Sequence, residues 1–138
     1  MGMWGSDDPD CRKPLWWKEY SFKPETRNNF QPGKKEYDPV GFNQEQFDFY
    51  KKLIAIRRDN PVLSTGDFEF VLAEGNRLEY KRWDKDNEIF VLFNLEDGKR
   101  EFCLPEGTYT NLLNDYKVTG SSLSLEALSA VVLKKITP

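Results

Sequence analysis

Histidine is absent from this 138-residue chain. Its absence removes every His-based catalytic triad, most zinc centres and the commonest general base. Cysteine is scarce: Cys11 and Cys103 stand far apart, in no CxxC or Cys/His pattern. They read as two unpaired thiols in a reducing compartment, or as a disulfide if folding brings their Cα atoms within about 7 Å. No apolar run approaches the ~20 residues that span a bilayer, so no membrane partner is expected. No charged-then-apolar leader opens the chain. An excess of positive charge is missing too. Twenty Lys and Arg against 23 Asp and Glu leave a net charge of −3, unlike the basic patch of a nucleic-acid binder. Internal repeats and low-complexity tracts are lacking. Aromatic residues are plentiful instead: ten Phe, six Tyr and four Trp argue against disorder over most of the chain. Its length suits one domain with an appendage and can bury a core.

Residues 1–41 do not look like a domain. They hold Pro9, Pro14, Pro24, Pro32 and Pro39, five of the eight prolines, and three of the four tryptophans. Proline removes a backbone donor and pushes the preceding residue out of the helical region, so regular structure is repeatedly interrupted. Yet Trp4, Trp16, Trp17, Tyr20, Phe22, Phe30 and Tyr37 are too much apolar surface for a solvated linker. Such a segment packs against something larger, and it reads as a loop belonging to a bigger protein.

Clear helix signals begin at Asn43. Its side chain can cap the first orphan amides, with Gln46 three residues on, while Phe42 and Phe47 occupy the positions of a hydrophobic staple. Phe47, Tyr50, Leu53, Ile54 and Ile56 then recur as a helical face. Arg57 and Arg58 favour the last-turn dipole, and 59–61 (Asp-Asn-Pro) stops the helix, which is expected over 44–58. After Pro61 the pattern changes to short strands and turns. Apolar or alternating runs at 68–73, 78–83, 89–93, 102–104, 109–113, 116–118 and 130–136 predict seven or eight strands. Polar turns at 74–76, 84–87, 96–98 and 105–107 separate several of them. Turn signals every 8 to 12 residues without intervening helices suggest an antiparallel sandwich or barrel.

The residues alone assemble no catalytic constellation. Asp7, Asp8 and Asp10 cluster in unusual surroundings, but Asp-Pro commonly opens a solvated turn, and the spacing lacks the ligands and glycine of a calcium loop. Gly66, Gly75, Gly98 and Gly107 are scattered turn residues rather than a phosphate cradle. The serines at 121, 122 and 124 have no adjacent base to activate a hydroxyl. Aromatic strand residues are core by default. No cofactor or metal is implied.

The run GMWGSDDPDCRKPLWW over residues 2–17 resembles a segment of the α-amylase family of glycoside hydrolases. There a G-[IM]-x-G-x-x-D-P-x-x-R-x-P-M-x-W stretch follows the eighth barrel strand. The form DPDCRKP is most similar to neopullulanase, cyclomaltodextrinase and maltogenic-amylase members. Leu15 replaces the more usual Met and conserves volume. LIAIRRDNPVLSTG over 53–66 is similar to the family's last barrel helix and its exit. YKRW over 80–83 and EIFVLFNL over 88–95 resemble the opening of its C-terminal β-domain, and SAVVLK over 129–134 its last strand.

The resemblance implies a mainly β fold: an antiparallel β-sandwich preceded by one helix and an irregular arm. Residues 1–61 would be the tail of a (β/α)8 barrel, with the loop after strand eight over 1–41 and the last helix over 44–58. Residues 62–138 would be the C-terminal β-domain. The partners implied are the rest of that barrel and, in the parent, an α-glucan oligosaccharide cleaved with retention. Retaining hydrolysis needs two carboxyls about 5–5.5 Å apart, and the family's catalytic Asp, Glu and second Asp lie upstream. This chain alone is therefore expected to be inactive, its sandwich packing on the barrel and covering its last helix. Met1 is not expected to be the parent's start, so the missing leader says nothing of where the parent works.

Two residues carry over as substrate contacts in the intact parent, Asp8 and Arg12. A carboxylate accepts sugar hydroxyls and a guanidinium offers a planar fork of donors, on a loop where such barrels hold substrate. Alternatively Arg12 pairs with Asp8 or Asp10 and only fixes the loop. Trp16 and Trp17 either stack on sugar or lie buried under the loop. Two functions of other classes stay open: a carbohydrate-binding module with Trp83 or Tyr109 on an exposed platform, and an interaction or dimerisation domain using the arm and the helix stripe.

Overall fold

A computed structural model describes residues 15–21, 25–26, 37–38 and 40–136. The chain divides into two units, Met1–Phe49 and Tyr50–Pro138. In the first, β1 (Glu25–Thr26) pairs antiparallel with β2 (Tyr37–Asp38), Glu25 opposite Asp38. Helix α1 (Gln44–Asp59) starts here, one residue longer at its end than its periodicity predicts. Both start signals operate as expected. The Gln46 amide donates to Asn43 Oδ1 at 2.9 Å, and the Phe42 and Phe47 ring centroids lie 5.2 Å apart.

In the second unit α1 ends on Asn60, whose side-chain amide donates to the Ile56 carbonyl at 2.9 Å and whose Oδ1 accepts from Lys134 Nζ at 3.0 Å. A one-turn helix α2 (Val62–Thr65) follows, where the sequence pattern suggests only strands and turns. Pro61 has φ −54° and ψ −28°, values already helical, and buried Val62 anchors the turn against Ile89 and Val91. Gly66 then lets the backbone pass Trp83: a Cβ at position 66 would sit 2.6 Å from the Trp83 carbonyl oxygen.

Six antiparallel strands form one sheet in the order β3-β4-β5-β8-β6-β7. They are β3 (Asp67–Glu74), β4 (Arg77–Trp83), β5 (Glu88–Asn94), β6 (Arg100–Asn111), β7 (Lys117–Leu125) and β8 (Ser129–Lys135). The predicted turn at 105–107 is instead a bulge inside β6. Cys103 faces Ser122 and Gly107 faces Gly120, so three residues of β6 oppose one of β7. Pro105 cannot donate to a ladder and is tolerated because it sits at this irregularity. Two expected strands thereby merge into one of 12 residues.

The bulge bends the sheet. Only Tyr109, Thr110 and Asn111 of β6 pair with β8, while β6 pairs with β7 on both sides of the bend. Leu72 on one edge strand and Leu123 and Leu125 on the other belong to one apolar cluster with Phe90, Leu92, Phe102, Leu104, Tyr109 and Leu133. A flat sheet would hold its edges about 24 Å apart, five strand spacings of ~4.8 Å. The two halves therefore pack face to face as the expected β-sandwich, with this cluster between them. Phe90 and Tyr109 meet edge to face at 5.8 Å. A second cluster, Val62, Ile89 and Val91 with Tyr80, Phe93 and Val132, covers the opposite side of β5, which explains why β5 is apolar on both faces.

Candidate functional site

Asp8 and Arg12 lie outside the described residues, as do Asp7, Asp10 and Cys11. Of the arm's aromatics, Trp16 is partly buried, whereas Trp17 and Tyr20 are 46% and 66% exposed beside a turn in which the Tyr20 amide donates to the Trp17 carbonyl. Cys103 is an exposed free thiol on β6.

Exposed apolar side chains stand out on α1 and on β3. Helix α1 carries the stripe its periodicity predicts, yet none of its residues is buried. Tyr50 and Ile54 on that stripe are 58% and 64% exposed. On β3, Phe68 and Phe70 project to one side, two residues apart, with ring centroids 4.7 Å apart; Phe68 also meets Tyr80 of β4 at 5.4 Å. Both phenylalanines remain exposed, against the default that strand aromatics form core. The Arg82 guanidinium lies 5.7 Å from the Phe68 ring and donates through Nη2 to the Gly66 carbonyl at 2.8 Å. Burial raises the Tyr80 phenol above its ordinary range, against the pull of the Arg82 and Arg57 charges. Such a ring cluster, with a cation over its Phe68 ring, is exposed apolar surface and holds no acid–base pair.

The rings proposed for a sugar platform behave differently. Tyr109 is fully buried and donates its hydroxyl to the Pro105 carbonyl, so it is core and cannot stack on a ligand. Trp83 is partly buried at the end of β4, with Lys81 Nζ 4.7 Å from its ring centroid.

One carboxyl has an unusual environment that sequence inspection missed. Glu79 points into the main core opposite Leu72 and Leu92 and is 2% exposed. Its Oε1 has no hydrogen-bond partner, and loss of hydration pushes its pKa up to about 7. Alternation marks Arg77, Glu79 and Lys81 as one face; only the bend that closes the sandwich makes that face interior. No second carboxyl lies against Glu79 to complete a hydrolytic pair among the described residues, so its effect is on stability. The sign follows from linkage. Below about pH 4.5 the group is neutral folded and unfolded, and between 4.5 and 7 only the unfolded chain loses the proton, so stability falls as pH rises. Glu79→Gln removes that penalty. Its melting temperature relative to the parent chain should climb between pH 5 and pH 8, by an amount corresponding to about 2 kcal/mol. Parallel pH curves for the two proteins in thermal melts would refute this.

No protein-family model matches the chain. The cyclomaltodextrinase of Thermoanaerobacter pseudethanolicus is 34% identical over 137 residues, which are 97% of this chain and 20% of that protein. The maltogenic alpha-amylase of Bacillus acidopullulyticus is 26% identical over 145 residues, 97% of this chain and 21% of that protein. The crystal structure of an Anoxybacillus alpha-amylase superposes with a TM-score of 0.70 at 20% identity, a likeness of fold, over 95% of this chain and 26% of that one. The chain thus spans about a fifth of the length of the curated relatives it matches. With sequence likeness along nearly its whole length and the fold in common, the chain belongs to the α-amylase family of glycoside hydrolases, matching a C-terminal part of members several times longer.

Proposed function

We infer that this chain supports a catalytic barrel from its C-terminal side, in a longer hydrolase that cleaves α-glucans with retention. Residues 1–61 would be the barrel's last loop and helix, and residues 62–138 the β-domain that braces them. The observation that carries this is α1. A helix with a cap, a staple and an apolar stripe, but no buried residue, needs a larger body to cover it. The exposed Phe68–Phe70 rings beside Tyr80 offer a second contact for the same body. The catalytic carboxylates would lie on that body, and the chain alone would hydrolyse nothing. Asp8 and Arg12 would reach the substrate from the loop, the carboxylate accepting hydroxyls and the guanidinium donating to them.

The test compares the 138-residue chain with the longer protein, measuring reducing ends released from maltoheptaose. Turnover is expected from the longer protein only. There Arg12→Ala should lower kcat/KM by roughly 30-fold, about 2 kcal/mol for a charge-assisted contact. Turnover by the chain alone would overturn the supporting role. An Arg12→Ala enzyme with unchanged kcat/KM would leave that residue with the loop-fixing role.

A further inference from the structure

We propose that the face carrying Phe68, Phe70 and Tyr80 docks a surface of the longer protein that brings an Asp or Glu carboxylate to Arg57 and Arg82. This partner deepens the supporting role proposed above, on which it rests. Residues opposite each other in a ladder share a face of the sheet. Phe70 is opposite Tyr80 and Phe68 opposite Arg82, so two rings, a phenol and a guanidinium stand on one side of β3 and β4. Arg82 donates through Nη2 to the Gly66 carbonyl at 2.8 Å, and Arg57 through Nη1 to that of Leu63 at 3.0 Å. Both guanidiniums are thus pinned along the short stretch 63–66. Leu63 and Tyr80 pack against the same apolar cluster.

Neither guanidinium has a carboxylate partner among the described residues. The charges that act on the Tyr80 phenol are those of Arg82 and Arg57, with no carboxylate among them. The other face of the same two strands differs, for there Glu69 neutralises Lys81 at 2.9 Å. Nor does the chain have a general cationic excess, since its net charge is −3. Phe68 and Phe70 are 46% and 59% exposed, and a body that covers them takes the guanidiniums out of water as well. Covering a charge without a counter-charge strips its hydration uncompensated. Arg82 is already partly buried, its Nε shut from solvent without a hydrogen-bond partner. The covering surface therefore has to carry an acceptor, and a carboxylate matches the planar fork of a guanidinium. A free inorganic anion would supply the charge but leave both rings in water. The occupant that satisfies both is a protein surface with apolar side chains around its carboxylate.

The test introduces an amine by Arg82→Lys, in the longer protein and in the 138-residue chain, and treats both with a water-soluble carbodiimide. That reagent joins an amine to a carboxylate in contact with it. Mass spectrometry of the digest is expected to show position 82 linked to an Asp or Glu outside the 138 residues, in the longer protein only. Lys81 and Glu69, 2.9 Å apart, should couple in both and serve as the internal control. Arg57→Lys, at an exposed position of α1, gives the same readout if the first variant fails to fold. Hydrogen exchange supplies a second measurement. The amides of 67–72 should be better protected in the longer protein. Arg82→Met should lower that protection about tenfold there, the loss of one hydrogen bond between charged groups, and at most about twofold in the 138-residue chain. Equal protection of 67–72 in the two parent proteins would overturn the supporting role of this face, and the proposal with it. Protection gained without a link to a carboxylate outside the 138 residues, or an equal loss in both proteins for Arg82→Met, would overturn the carboxylate partner alone.

Discussion

Replacing Phe90 by alanine should cost about 3–5 kcal/mol, the range for deleting a buried ring from a packed core. Phe90 is 1% exposed and sits where both halves of the bent sheet converge, edge to face with Tyr109 of β6. Its removal leaves a void bounded by strands from both layers, and the bulge-bent β6 has little freedom to collapse into it. Small domains have roughly 5–15 kcal/mol in total. With a urea dependence of about 2 kcal/mol per molar, the unfolding midpoint should fall by about 1.5–2.5 M. Phe90→Leu retains most of the volume and should lose less than half as much. Circular dichroism during urea unfolding measures both. A midpoint shift below about 0.5 M for Phe90→Ala would mean that the cluster between the layers is not what holds the sandwich closed.

Asn94→Leu should be nearly as damaging although it adds apolar surface to a fully buried position. The Asn94 side-chain nitrogen lies 2.9 Å from the Gly98 carbonyl, 3.1 Å from that of Leu125 and 2.8 Å from that of Glu126. Its oxygen accepts the Glu96 amide at 3.2 Å. One residue at the end of β5 thus satisfies the turn after its own strand and the connection between β7 and β8. Leucine would strand those carbonyls, each at about 1–3 kcal/mol before the more exposed ones regain water, for a net loss of about 3 kcal/mol. Asn94→Asp separates shape from hydrogen bonding. It is nearly isosteric but, when ionised, aims negative charge at three carbonyls, so its loss should equal or exceed that of leucine at pH 8 and shrink toward pH 4, where a protonated carboxyl can donate. Stability within 1 kcal/mol of the parent chain for both variants would show that the three carbonyls find other partners.

Local signals in the sequence survive intact wherever the controlling physics is local. Asn43 and the Phe42–Phe47 pair specify where α1 begins because caps and staples involve residues within five positions of one another. Leu78 and Tyr80 alternate with charged residues, and β4 forms there. Failures occur where a distant contact decides. Pro105 looks like the end of a strand, but a bulge absorbs it because both flanking segments pair with β7. The four residues of α2 have no periodicity to display, and their helical turn is held by Val62 under β5. Glu79 looks like the solvent-facing member of an alternating strand, and Phe68 and Phe70 like core. The inside and outside of β3 and β4 depend on which way the sheet bends, a choice encoded thirty residues later in β6. The roles proposed for Asp8 and Arg12 rest only on the motif that contains them.

The amino-acid order by itself therefore determined the start and stop of the helix and the antiparallel β character, which follow from spacing and capping within a short window, and, through a motif resemblance, the family. Tertiary structure alone decided that two predicted strands are one, that Tyr109 is core, and that a glutamate is buried without a partner for Oε1. Those outcomes depend on which surfaces meet when a sheet folds over itself. Burial is a property of that meeting and not of any residue's neighbours along the chain.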